Sequence, residues 1–141
     1  MRTSRIGIAL IKSYESLRLE AYRCPTGVWT IGYGHTAGVR RGDVIDEQRA
    51  EYLLTEDLKK FEEVVNRECP HVNQNQFDAL VSFTFNCGSG NLLKSTLLKC
   101  VKANPLNTNI RGEFMKWNKS KGTVLAGLIR RRRAEADLYF S

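Results

Sequence analysis

Long apolar runs are missing from this 141-residue chain; the longest near its amino end, Ile8–Ile11, is four residues. A signal-peptide core needs about 7–15 apolar residues and a membrane span about 20, so neither is expected and the protein is predicted to start in the cytoplasm. Cysteine is sparse and unpatterned. Cys24, Cys69, Cys87 and Cys100 show no C-x-x-C spacing, and only two histidines accompany them, which argues against a zinc or redox centre. The thiols are read as reduced, with an extracellular disulfide framework as the lesser alternative. No low-complexity tract, internal repeat, phosphate loop or nucleotide fingerprint occurs, so no metal or cofactor is implied.

What is present is an ordinary globular composition, 42% apolar and 26% charged, in a length suited to one domain. The formal charge of +7 favours an anionic partner: nucleic acid, an acidic membrane surface or an acidic polymer.

Apolar periodicity at Ile6, Ala9, Leu10 and Leu17, with Thr3 or Ser4 as cap, predicts a helix over 4–15. Alternation over 19–23, the turn Cys24-Pro25-Thr26-Gly27 and the β-branched, aromatic run 28–33 predict a hairpin, and glycines at 32, 34, 38 and 42 divide the next segment into a short third strand and loops. Asp46 should cap a long helix to about residue 66, with Ala50, Leu53, Leu54, Leu58, Phe61 and Val65 as its stripe. Helices follow over 77–85, stopped by Gly88, and over 95–102, 110–117 and 125–139. The expected architecture is α+β in a single domain, 1–141. A small β-rich lobe (about 15–45) is joined by the helix at 46–66 to a helical lobe (67–141), on which the first helix packs. A ligand cleft is expected between the lobes.

Polar groups suited to chemistry cluster in Glu15–Thr36, E-S-L-R-L-E-A-Y-R-C-P-T-G-V-W-T-I-G-Y-G-H-T. A glutamate at a helix end is usually a solvated charge. Here the helix C-terminus disfavours the carboxylate and the neighbouring apolar stripe shields it, so a proton held near neutral pH would make Glu15 a general acid. Thr30 on the second strand is either a β-former on a solvent face or, if its face looks into the cleft, a hydroxyl able to orient water.

Glu15, eight residues, Cys24, five residues, Thr30, then Ile31-Gly32-Tyr33-Gly34-His35-Thr36, resembles the active-site segment of the phage-type lysozymes. The family pattern is Glu, Asp or less often Cys, then Thr. The likeness extends from Ile6 to Phe140 through the long helix, the segment Asn75–Phe83 and the Gly127-Leu128 to Arg131-Arg132 ending. The resemblance implies a lysozyme-like fold and a muramidase (endolysin) that hydrolyses the β-1,4 bond between N-acetylmuramic acid and N-acetylglucosamine in peptidoglycan. It assigns Glu15 as the acid and Thr30 to water positioning. It also places Gly34 and Thr36 on the cleft floor, Phe85 and Asn86 opposite, and Thr96 as a further sugar contact. His35 and Asp57 would form a structural ion pair between the β-lobe and the long helix.

Cys24 is the departure from the commoner pattern. A free thiol with pKa near about 8.5 is a weaker proton acceptor than a carboxylate, and an ionised Glu15 nearby would raise it further. Covalent attack by the thiolate, general-base action and water placement all stay open. A lytic transglycosylase, which needs one acidic residue and leaves a 1,6-anhydro product, is the near alternative; the Thr30 context favours hydrolysis. A nucleic-acid-binding protein is the distant one. Arg130–Arg133 spread around a helix at about 100° per residue, and no helix-turn-helix or RNA-binding motif occurs. Leu125, Leu128, Ile129, Ala136 and Tyr139 are expected to form that helix's apolar face, with Arg131 or Arg132 turned inward to Glu15 or Glu135. A monomer without membrane insertion of its own is expected, and the family resemblance further implies that it waits in the host cytoplasm and reaches the periplasm and wall through a holin.

Overall fold

The computed structural model describes residues 1–141. Seven helices and two small antiparallel hairpins make up the α+β fold. Helix α1 (Arg5–Tyr14) is capped by the Ser4 side chain, which accepts from Gly7 N. Strand β1 (Arg18–Arg23) pairs with β2 (Trp29–Gly32) in the register Tyr22↔Thr30 and Arg23↔Trp29, with an irregularity between Arg18 and Tyr22. Cys24–Gly27 closes the hairpin: Gly27 N donates to Cys24 O at 2.7 Å, and Gly27 takes the positive φ (+86°) that such a turn reserves for glycine. The third strand expected beyond Gly32 is reduced to single bridges, Ile31↔His35 and Glu20↔Val44, because positive-φ glycines at 34, 38 and 42 break any extended run.

Helix α2 (Glu47–Glu68) starts on the Asp46 side chain, which accepts from Arg49 N, and buries Ala50, Leu54, Leu58, Glu62 and Val65. Helix α3 (Gln74–Cys87) opens on a capping box made by Asn73 and Gln76 and ends at Gly88, φ +94°. Every residue from Gln76 to Thr84 is buried, so α3 is the axis of the core, packed against α1, α2 and the last helix. Helices α4 (Ser89–Leu93), α5 (Thr96–Ala103) and α6 (Asn109–Met115), the two-residue strands β3 (Lys119–Ser120) and β4 (Thr123–Val124), and α7 (Ala126–Tyr139) complete the chain.

Two helices present different faces from those their apolar residues suggest. Ile6 is 62% exposed; α1 turns Gly7 and Ile11 inward instead. A Cβ on Gly7 would lie 2.7 Å from Asp78 Cγ, so glycine permits the closest approach of α1 to α3. Asp78, fully buried, accepts from Ser4 N (3.0 Å), from the Ser4 hydroxyl and from Gln74 Nε2 (2.8 Å), and so holds the start of α1 on α3. On α7, Leu125 is exposed and Leu128 and Ile129 are half-buried, while Arg131, Arg132, Glu135, Ala136 and Tyr139 are buried. The expected apolar face of α7 is therefore charged over much of its buried length. These charges are sunk because they neutralise one another: Arg132 Nε lies 2.8 Å from Glu135 Oε1 and Arg131 Nε 3.3 Å from Glu135 Oε2.

Candidate active site

Glu15 is the residue at which α1 ends. Its N–H still closes the helix on Ile11 O, while its own backbone is extended, and the side chain lies between Arg131 and Gly34 of the loop after β2. The carboxyl is 23% exposed. It lines a hollow of about 370 Å³ together with Gly34, Thr36, Asp57, Phe85 and Asn86, and with three residues that the sequence does not single out for a site: Ala37, Lys60 and Phe61. Phe61 follows α2's apolar stripe and packs edge-on to Phe85 at 5.6 Å, so its stripe position gives no hint of a cleft wall.

The apolar shield expected around Glu15 is replaced by a cation. Arg131 Nη1 donates to Glu15 Oε2 at 2.6 Å, and Arg131 is itself 97% enclosed, tied back to Glu135 and to Ser82 O. Oε1 carries no hydrogen bond within the protein and faces Gly34, where a side chain would begin 4.0 Å away. Gly34 (φ +88°) thus keeps the floor open beneath the free oxygen. A carboxyl with one oxygen anchored and the other exposed to a hollow can exchange a proton with a bound ligand.

Cys24 and Thr30 are not among the walls of this hollow. They lie together at the β1–β2 turn. Thr30 is buried and its hydroxyl donates back to Val28 O at 3.1 Å, so it lies neither on a solvent face nor on the wall of the hollow. Cys24 Sγ is 2.8 Å from Thr26 Oγ1. The expected rise of the Cys24 thiol is reversed: hydrogen bonding by the Thr26 hydroxyl outweighs the opposing desolvation and, with lesser help from the amides of Thr26 and Val28 and from Thr30, lowers it to about 7. Thr26 carried no signal beyond being a turn residue.

His35 Nδ1 lies 2.8 Å from Asp57 Oδ2 and 3.0 Å from Oδ1, and its Nε2 is 2.9 Å from Ala37 O. The contact joins the loop after β2 to α2 beside the hollow. Thr96 is exposed at the first position of α5 and lines no hollow near Glu15.

Two further hollows continue the first. One of about 450 Å³ shares Glu15 and Asn86 with it, and a third, of about 370 Å³ and walled by Trp117 and Lys119, shares Asn86, Leu125 and Leu128 with the second. Asn86 borders all three, and Glu15 the first two. No group of three or more His, Cys, Asp or Glu side chains stands close enough to hold a metal ion, and all four cysteines are free.

An open groove between the loop after β2 and a helical body, with a carboxyl on its wall, is the arrangement of a lysozyme-like glycosidase. A family profile described as Phage lysozyme matches residues 12–135. The chain is 44% identical, over its full length and 99% of the relative's, to an endolysin of Acyrthosiphon pisum secondary endosymbiont phage 1. It is 46% identical to an endolysin of Bacillus phage B103, of which it spans about half (55%). The muramidase domain of SpmX from Asticaccaulis excentricus superposes with a TM-score of 0.91 at 41% identity, covering 99% of this chain and 98% of that one. The chain belongs to the phage lysozyme family. It is a glycoside hydrolase of the muramidase type, an endolysin acting on bacterial peptidoglycan.

Proposed function

We propose that the chain cleaves the β-1,4 bond between N-acetylmuramic acid and N-acetylglucosamine by hydrolysis, with Glu15 as general acid. The observation that carries this reading is the asymmetric setting of Glu15: Oε2 held by a buried guanidinium, Oε1 free toward a hollow open to a polymer. Protonated Oε1 would deliver its proton to the leaving glycosidic oxygen, and the carboxylate left behind is matched by Arg131. Gly34, Thr36, Phe85 and Asn86 would contact the sugars, as they share Glu15's hollow. Thr96 would join only a chain long enough to reach past the groove.

Cys24 would complete the reaction. A thiol near 7 supplies a substantial thiolate fraction at neutral pH, which supports base or nucleophile action over passive water placement. Thr30 acts in this scheme on Cys24, beside which it stands, rather than on water in the groove. The His35–Asp57 pair would fix the loop that carries Gly34 and Thr36. Access to the wall from the cytoplasm would depend on a holin, a part of the reading that rests on family resemblance. No helix is long and apolar enough to cross a membrane.

The deciding experiment is muropeptide mass spectrometry after digestion by the parent and by Glu15→Gln. Products heavier by one water, and a loss of about 10³-fold or more in the variant, are expected. Anhydro products would transfer the assignment to a lytic transglycosylase, and parent-like rates in Glu15→Gln would end it.

A further inference from the structure

Arg131 sets a conflict inside the site. A general acid must keep its proton until the leaving oxygen takes it, yet a guanidinium against a carboxyl favours the carboxylate. Arg131 Nη1 lies 2.6 Å from Glu15 Oε2, so alone it would oppose the step that it helps to orient. A second carboxyl stands on its other side. Glu135, one turn further along α7 and fully buried, accepts from Arg131 Nε through Oε2 at 3.3 Å. The same oxygen accepts from the Ser82 hydroxyl of α3 at 2.6 Å and from Arg132 Nη2 at 3.2 Å. Oε1 lies 2.8 Å from Arg132 Nε, off the line of a hydrogen bond. Each of these neighbours presents an N–H or O–H group, the surroundings of a carboxylate. Burial pushes the Glu135 carboxyl up, against the pull of Arg132, Arg131 and Ser82.

We infer that Glu135 is a positioning residue for the acid, a step that rests on the reading of Glu15 as general acid: by binding the far side of Arg131 it divides that cation between two carboxyl groups, so that Arg131 holds Glu15 in place without fixing it in the ionised form. Two buried cations, Arg131 and Arg132, and one buried anion leave a single positive charge against Glu15; without Glu135 there would be two. The coupling runs both ways, because carboxyl groups that share a guanidinium each oppose ionisation of the other. Further titratable groups flank the pair. Tyr14 of α1 donates its hydroxyl to Arg130 O, Asp57 and Lys60 of α2 border the hollow of Glu15 without bonding to it, and Cys87 of α3 accepts from Arg132. On α6, Arg111 and Glu113 are paired with Asp137 and Lys116. None of these sets another carboxylate on Arg131, whose two acidic partners are Glu15 and Glu135.

The test compares kcat and KM of the parent and Glu135→Gln on soluble glycan chains from acid to neutral pH, with thermal melts of each. Glutamine keeps the shape and an acceptor oxygen and removes the charge. Glu15 then meets the undivided cation and carries its proton in fewer molecules at neutral pH, so kcat should fall by about tenfold with KM unchanged. Acid protonates Glu15 in either protein, so the deficit should shrink toward parity as pH is lowered, whereas a merely structural defect would persist at every pH. Parent-like kcat at neutral pH, or a deficit independent of pH, overturns the inference. If Glu135→Gln melts too early to assay, the reverse measurement decides. In Glu15→Gln the Glu135 carboxyl, followed by NMR of glutamate-labelled protein, should titrate about one pH unit lower than in the parent; equal midpoints overturn the inference. Activity in Glu15→Gln would instead sink the general-acid reading, and the inference with it.

Discussion

Half of the Cys24 population is thiolate near pH 7, because Thr26 and the turn amides solvate the charged sulfur. The sign follows directly: a lowered thiol is more ionised than a free one at every pH between the two values, and its reactivity grows as pH rises through about 7. Alkylation of Cys24 by iodoacetamide should therefore show a midpoint near 7, shifting upward in Thr26→Val, and should inactivate in step. Cys24→Asp should keep substantial activity and Cys24→Ala should lose most of it. Full activity in the alanine variant would remove sulfur from the mechanism. Retention or inversion at the anomeric carbon then separates attack by thiolate from attack by water.

Among the elements, the one between β2 and α2 has the least secondary structure, and it carries Gly34 and Thr36. Its tie to α2 is the His35–Asp57 contact, and Ala37 O lies 2.9 Å from the other ring nitrogen. Asp57→Asn should lower Tm at neutral pH by several degrees, about 1–2 kcal/mol for a half-buried charged hydrogen bond in a chain of this size. Equal melts at every pH would dismiss the tie.

Helices with a capping side chain and a clean stripe, such as α2 and α3, were legible in the sequence. The five-residue α4 and the hairpin β3–β4 were not. The first is too short for a period to show, and the second rests on one two-residue turn, Lys121-Gly122, with φ +50° and +80°. On α7 the inward arginine was legible, since Arg131 meets both Glu15 and Glu135, and so were Ala136 and Tyr139; Leu125, Leu128 and Ile129 were not, because ion pairing lets Arg131, Arg132 and Glu135 occupy positions that a hydropathy pattern reserves for leucine. Of the residues that the family resemblance singles out, Glu15, Gly34, Thr36, Phe85 and Asn86 share one hollow. Lys60 and Phe61 enter it only through packing.

At the scale of the whole molecule, the exposed Arg130 and Arg133 and the net charge of +7 suit a wall rich in anionic groups, a long-range attraction that salt weakens. Expression of the chain alone in the cytoplasm of a sensitive host should leave cells intact, and co-expression with a holin should lyse them abruptly. Lysis without a holin would show that the chain finds its own way out. The three linked hollows around Glu15 and Asn86 have a further consequence. A carboxyl shared by two hollows has room for sugar on both sides of the bond it attacks, so a strand would be gripped along its length and scission would fall at random. The first fragments released from a wall would span many sizes, and the sacculus would lose mechanical strength long before much sugar became soluble.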